Sequence, residues 1–280
     1  MNVTIISGGK IMKRVLIIGC PGSGKSTFAR ELHKITSIPL HHLDMLKWNS
    51  DKTVVEKEVF IERLNKVLET ETWIIDGNYL GTMASRMKDA DTVFFLDYDL
   101  ETCLSGVQSR KGQPRADMPW IETETDPEFI EFIKTFHIES RPKILELLEE
   151  NKHKEIIVFK NRSESDKYIL KLTMLQLEGY HLDKENRKSG KYVEVLHPDF
   201  KEYGQSGAIY HLADFKGIPL KDASEYEISK FFVKELSEDN RLCTYTLLNK
   251  TTGNESNRSS VWVRVSGDWK LLFHQGTTVK

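Results

Sequence analysis

The densest set of chemistry-bearing residues lies near the start of the chain. Gly19-Cys-Pro21-Gly22-Ser23-Gly24-Lys25-Ser26, followed by Thr27, has the spacing G-x-x-x-x-G-K-[ST]. Glycines let a backbone wrap closely, so that its N–H groups point at phosphate oxygens. A helix opening at such a loop adds favourable partial charge. Lys25 can then reach β- and γ-phosphates, and the Ser26 hydroxyl can ligate Mg²⁺. Asp76 opens Asp76-Gly-Asn-Tyr79 at the end of an apolar run, where a carboxylate suits Mg²⁺ or its water shell. An ordinary Asp-Gly turn is the alternative. Asp44 ends Pro39-Leu-His-His-Leu-Asp44 and can orient or deprotonate an acceptor hydroxyl, or cap a helix. His41 and His42 alternate in the same run, so one is expected to face inward, and both read as packing or surface residues rather than ligands. Arg110, Lys111 and Arg115 surround a Gly and a Pro in a basic loop. Such a loop can close on phosphates or simply be solvated. Arg86 and Arg141 are further cations that can meet anionic substrate groups, or lie at the surface.

These residues need a frame. Short apolar runs at 15–18, 38–43, 73–75, 93–96 and 156–159 alternate with helical patterns. Continuous apolar strands separated by helices predict an α/β domain with a parallel sheet buried on both faces. Ile144, Leu145, Leu147 and Leu148 give the helix before the last strand an apolar stripe. Residues 1–11 form a polar segment before a second methionine, Met12, and are expected to be either a non-native N-terminal extension or a frayed one.

The 280 residues favour two domains. Lys plus Arg number 40 against 42 Asp plus Glu, which argues against a nucleic-acid partner. No apolar run has the length of a membrane span. Three cysteines without metal spacing fit a reducing, cytoplasmic setting.

Residues 12–163 resemble the DNA topology modulation protein family, P-loop kinases similar to adenylate and shikimate kinases. The resemblance is carried by the glycine loop, Pro39-Leu-His-His-Leu-Asp44 with Trp48, Trp73-Ile-Ile-Asp76-Gly-Asn-Tyr79, Phe95-Leu-Asp97, Gly112-Gln-Pro-Arg115-Ala-Asp117-Met118 and Arg141-Pro142. It implies a nucleoside-monophosphate-kinase-like fold, a lid near residues 106–120, and ATP and Mg²⁺ as cofactors. It raises Asp44, Asp76, Arg86, Arg110 and Arg115 as site residues. The expected activity is phosphoryl transfer from ATP to a small nucleotide or hydroxylated metabolite, with Lys25, Asp44, Arg110 and Arg115 catalytic. Ser26 and Asp76 are expected to hold the metal, and Arg86 and Arg141 to meet substrate. Two stretches depart from the family pattern: 104–110 is poor in arginine, and 119–126 is acidic.

Residues 164–280 read differently. The polar stretch 161–166 reads as a junction, followed by a helix over about 167–183. Partial alternation at 242–248 and 261–265, then 269–273 across a Ser-Gly-Asp turn, predicts antiparallel hairpins in an α+β domain. This part resembles the nuclear-transport-factor-two-like, or SnoaL-like, superfamily. Its residues are Leu196-His-Pro-Asp-Phe200-Lys-Glu202-Tyr-Gly204-Gln-Ser-Gly207, Asn257-Arg258-Ser-Ser260-Val-Trp262 and Trp269-Lys-Leu-Leu-Phe273-His274-Gln-Gly276-Thr277. The resemblance implies a curved antiparallel sheet under helices, a conical pocket for a small ligand, and a homodimer through this domain. Glu202, Tyr203, Arg258, Trp262 and His274 are the expected pocket or rim residues, with a structural ion pair and core aromatics as the alternative. Two other functions stay open: a nucleotide-gated binding protein with little phosphoryl transfer, and an isomerase or cyclase that uses His274.

Overall fold

The computed structural model describes residues 6–7, 10–124, 126–216 and 224–279. The chain divides into two compact units, Thr4–Ile169 and Leu170–Lys280. Of the first eleven residues, only the short strands β1 (Ile6–Ser7) and β2 (Lys10–Ile11) are described. The expectation about that extension otherwise lies outside the described residues. Among the described residues no helix is long and apolar enough to cross a membrane.

The first unit is a parallel sheet of β3 (Arg14–Gly19), β4 (Leu40–His42), β5 (Trp73–Asp76), β6 (Thr92–Leu96) and β7 (Glu155–Phe159), in the order β4-β5-β3-β6-β7. Every residue of β5 and β6 is buried, as is all of β3 beyond Arg14, so the continuous apolar runs are strands covered on both faces. The helices are α1 (Lys25–Thr36), α2 (Leu43–Lys47), α3 (Lys57–Leu68), α4 (Leu80–Asp89), α5 (Leu100–Ser109), α6 (Pro127–Glu139) and α7 (Arg141–Glu150). The chain leaves β3 toward β4 on one side, and β6 lies on the other. Sheets of this kind hold ligands beyond the carboxyl ends of their strands where the winding reverses. Gly19 and Asp76 stand there, each the last residue of its strand. Asp44 does not end a strand, because β4 stops at His42 and Asp44 enters the first turn of α2.

The expected junction at 161–166 is not a loop. Helix α8 (Arg162–Leu182) begins there, and the unit division falls inside it, at 169/170. Asn161 Oδ1 accepts the Glu164 N–H (3.1 Å), while Glu164 reaches back to the Lys160 N–H (2.7 Å). This is capping-box logic, so polar residues that read as a linker start a helix.

The second unit holds α9 (Lys184–Ser189), a 3₁₀ turn (Lys191–Val195), β8 (Leu196–Tyr203), β9 (Ile209–His211), α10 (Leu212–Phe215), β10 (Tyr226–Ser237), β11 (Asn240–Asn249), β12 (Glu255–Val265) and β13 (Asp268–Thr278). The six strands form one sheet in the order β10-β11-β12-β13-β8-β9. The expected hairpins are present, and Ser266 and Gly267 turn β12 into β13 with positive φ at both residues (53° and 93°). The sheet is mixed rather than wholly antiparallel. β8 enters from the helical segment and runs parallel to β13, pairing Glu202 with His274. Met174, Leu196, Phe200, Cys243, Trp262 and Leu271 form the buried core. All three cysteines are free and buried.

Candidate functional site

In the first unit the loop from Gly19 to Gly24 joins β3 to α1. Gly22 and Gly24 take φ values of 83° and 91°, which side-chain-bearing residues rarely adopt. A Cβ on Gly22 would lie 2.0 Å from the Cys103 carbonyl oxygen, and one on Gly106 of α5 would lie 2.1 Å from the Gly22 carbonyl oxygen. The loop and α5 therefore touch backbone to backbone. Ser23 N–H donates to the Cys20 carbonyl (3.1 Å), and Lys25 Nζ donates to the same oxygen (3.0 Å). Burial lowers the Lys25 pKa, while Asp76 and Asp44 pull it back up. Ser23 Oγ is buried without a hydrogen-bond partner. Pro21 and Thr27 flank these groups, Thr27 at the surface.

Strand register places His42 beside Asp76. His42 Nδ1 lies 3.0 Å from Asp76 Oδ1. Burial disfavours the charged ring, but the Asp76 hydrogen bond and charge outweigh it and raise the His42 pKa. Asp76 Oδ2 is buried and has no hydrogen-bond partner. Asn78 ties this segment to the glycine loop, with its Oδ1 accepting the Gly19 N–H (3.0 Å) and its Nδ2 donating to the Gly19 carbonyl (2.6 Å). Tyr79 O–H donates to Asp44 Oδ1 (2.5 Å), and Trp48 Nε1–H donates to the Tyr79 oxygen (3.2 Å). Burial raises the Asp44 pKa against that hydrogen bond.

Arg86 does not reach a substrate position. Its buried guanidinium donates to the carbonyls of Gly77 (2.9 Å), Asn78 and Tyr79 (3.1 Å). It shapes the turn that presents Asp76, and burial lowers its pKa to about 9. Arg141 is also taken up internally. It meets Asp97 with two hydrogen bonds (2.7 and 2.8 Å), and Lys160 adds a third (2.6 Å).

The basic loop closes with acids. Arg115 donates twice to Asp117 (3.1 and 2.6 Å) and once to Glu122 (2.7 Å). Arg110 Nε sits 3.4 Å from Glu122, buried and without a hydrogen bond of its own. Both arginines lie near enough to Asp44 for its charge to act on them. Asp117 is buried; desolvation opposes its charge, but Arg115 and then the Ser26 hydroxyl hold its pKa far below the usual carboxylate range. Lys25, Asp44, Asp76, Arg110 and Ser26 thus share one neighbourhood. His42, Asn78, Tyr79, Asp117 and Glu122 complete it. Their signal was present only as polar residues inside or beside the motifs already quoted.

In the second unit Arg258, Trp262 and His274 share the sheet face that α8 covers. Ser260 Oγ lies 2.9 Å from His274 Nδ1, and Arg258 Nη1 lies 3.4 Å from His274 Nε2. Glu178 of α8 is buried between Tyr245 and Trp262, accepting hydrogen bonds from both. Burial raises the Glu178 pKa to about 7 despite those bonds. Glu202 pairs with His274 in register but makes no direct bond to it. Tyr203 leaves the expected pocket, because the next residue in a strand faces the other side, where it packs on Phe273 (ring centroids 5.6 Å). Glu178 and His181 were missed, since two polar residues on a helix carry no signal until the opposing strand is known.

No protein-family profile matches the chain, and no curated protein matches it. Solved structures resemble it over part of its length. An NTF2-like protein from Cytophaga hutchinsonii is 21% identical, with 38% of this chain and 95% of that chain covered and a TM-score of 0.32. The association domain of C. elegans CaMKII is 16% identical, covering 41% and 97%, with a TM-score of 0.31. A protein of unknown function with a cystatin-like fold from Nostoc punctiforme is 17% identical, covering 39% and 90%, also at 0.31.

Proposed function

We propose that the first unit transfers a phosphoryl group from ATP to a small nucleotide or hydroxylated metabolite. The observation that carries this reading is the unpartnered, buried Asp76 Oδ2 at the carboxyl end of β5, one strand from the glycine loop and Lys25. A buried carboxylate oxygen without a donor is costly unless something positive meets it. The oxygen-rich donor set of Asp76 and Ser26 suits Mg²⁺, and the glycine loop with Lys25 suits a polyphosphate. Bound Mg²⁺ would neutralise charge on the phosphates. Loop N–H groups and Lys25 would hold the phosphate oxygens. His42 would fix the rotamer of Asp76. Asp44, held by Tyr79 and raised by burial, would orient the acceptor hydroxyl and accept its proton. Arg110 would face the developing charge, and Arg115 would join it once released from Asp117 and Glu122. Catalysis of this kind rests on positioning and electrostatics.

The test uses ATP labelled at the γ-phosphoryl group, incubated with Mg²⁺ and a panel of nucleoside monophosphates, sugars and other hydroxylated metabolites. Label in an acceptor supports the reading. Tight ATP binding with all label left in ATP would favour the nucleotide-gated alternative.

For the second unit, self-association is the reading that a surface feature favours. Phe232 and Leu236 of β10, an edge strand of twelve residues, are 58% and 51% exposed. Such an edge invites a second copy. A monomer by light scattering at working concentration would remove this reading.

A further inference from the structure

A second polar constellation lies inside the C-terminal unit, apart from the residues of the proposed phosphoryl transfer. Glu178 and His181 stand three residues apart on α8, which puts them on one helix face. His274 comes from β13. One donor atom from each lies within 4.8 Å of the others.

The three side chains are held rather than loosely gathered. Tyr245 O–H donates to Glu178 Oε2 (2.9 Å), and Trp262 Nε1–H donates to Oε1 (2.7 Å). Each carboxylate oxygen keeps a further lone pair. For His274, the neighbours decide the tautomer. Arg258 only donates, so His274 Nε2 is the accepting nitrogen and Nδ1 carries the proton toward Ser260 Oγ. An imidazole anchored through Nδ1–H ligates a metal through Nε2 once the Arg258 guanidinium has given up that lone pair. The His181 ring meets that of His274 edge to face at 5.3 Å, and its Nδ1 is buried without a well-aligned hydrogen bond.

We propose that Glu178, His181 and His274 bind a divalent first-row transition ion of the zinc type. Two imidazoles and one carboxylate suit zinc, cobalt or iron, whereas Mg²⁺ prefers oxygen alone. Three protein ligands leave a position open for water or a small ligand. Metal–ligand bonds of about 2.0–2.2 Å require the donor atoms to close by roughly an ångström. Arg258 is the neighbouring cation that must yield. Its Nε donates to Ser256 Oγ (2.9 Å), and its guanidinium lies over Gly276, where a Cβ would come within 2.6 Å of Nη1. In the metal-free protein it supplies the positive charge that His274 Nε2 faces.

The test adds Co²⁺ to the full-length, chelator-stripped protein and follows the visible cobalt bands. The expected result is one Co²⁺ per chain, displaced by Zn²⁺. His181→Asn and His274→Gln each weaken binding by at least about 10–100-fold with circular dichroism unchanged. Arg258→Met, which removes the competing cation, binds cobalt more tightly. Lys25→Ala and Asp76→Asn keep the wild-type spectrum, which separates this site from the proposed kinase site. Absence of cobalt bands with millimolar metal, or bands that persist in both folded His variants, would overturn the proposal.

Discussion

His42 holds one oxygen of Asp76 at 3.0 Å and leaves the other without a partner. The pair joins neighbouring strands at the same register, so the free oxygen is fixed in place before any ligand arrives. If Asp76 is the metal-binding carboxylate, Asp76→Asn lowers turnover on the order of 100-fold or more. His42→Ala leaves the fold intact and raises the Mg²⁺ concentration needed for half-maximal turnover about 10-fold. A Mg²⁺ titration of both variants checks this.

Arg86 serves the backbone. Its substitution by Met takes the donors from three partly buried carbonyls and destabilises the protein by about 2–3 kcal/mol. Arg86→Lys recovers little, because an ammonium cannot reproduce the planar fork. Urea unfolding measures both, and a wild-type midpoint for Arg86→Met would remove this clamp from the account.

Gly106 offers a sharper contrast. Gly→Ala inside a helix ordinarily stabilises it by about 1 kcal/mol. Here the added carbon meets the Gly22 carbonyl oxygen at 2.1 Å and must push the glycine loop aside. Gly106→Ala is therefore expected to weaken ATP binding about 10-fold or more. Calorimetric titration with ATP reads the effect, and unchanged affinity would mean that the loop does not bind phosphate in the conformation described.

Asp97 makes stability depend on pH. Burial opposes its charge, yet Arg141 and Lys160 outweigh burial and hold its pKa below the ordinary 3.8. The unfolded chain therefore takes up the proton first on acidification. The stabilisation is fully present above about pH 5 and is lost as pH falls below about 4 and through the folded pKa. Asp97→Asn lowers stability at pH 7 by about 1–2 kcal/mol, because the cations left behind are partly solvated, and flattens the decline in acid. Thermal melts from pH 3 to 7 give both quantities.

The glycine loop, its strand-to-helix setting and the place of Asp76 at a strand end were legible because short-range spacing determines them. The parallel sheet was legible from fully apolar runs. What escaped depends on partners distant in sequence. Arg86 and Arg141 looked like available cations until the carbonyls of 77–79 and Asp97 took up their donors. Tyr203 followed Glu202 in a motif, but strand alternation sent the two to opposite faces. Asn161 and Glu164 read as linker polarity although they cap α8. Glu178 became visible only when Tyr245 and Trp262, 67 and 84 residues further on, closed around it.

The central claim is that the glycine loop and Lys25 support transfer of a phosphoryl group. Its most direct test is acceptor-dependent ADP formation with Mg²⁺, measured for the wild type and Lys25→Ala side by side. The account predicts turnover with at least one acceptor class and a loss on the order of 10²–10³-fold in the folded variant. Equal turnover in the two proteins, or ATP binding without acceptor-dependent ADP from any class, would contradict it.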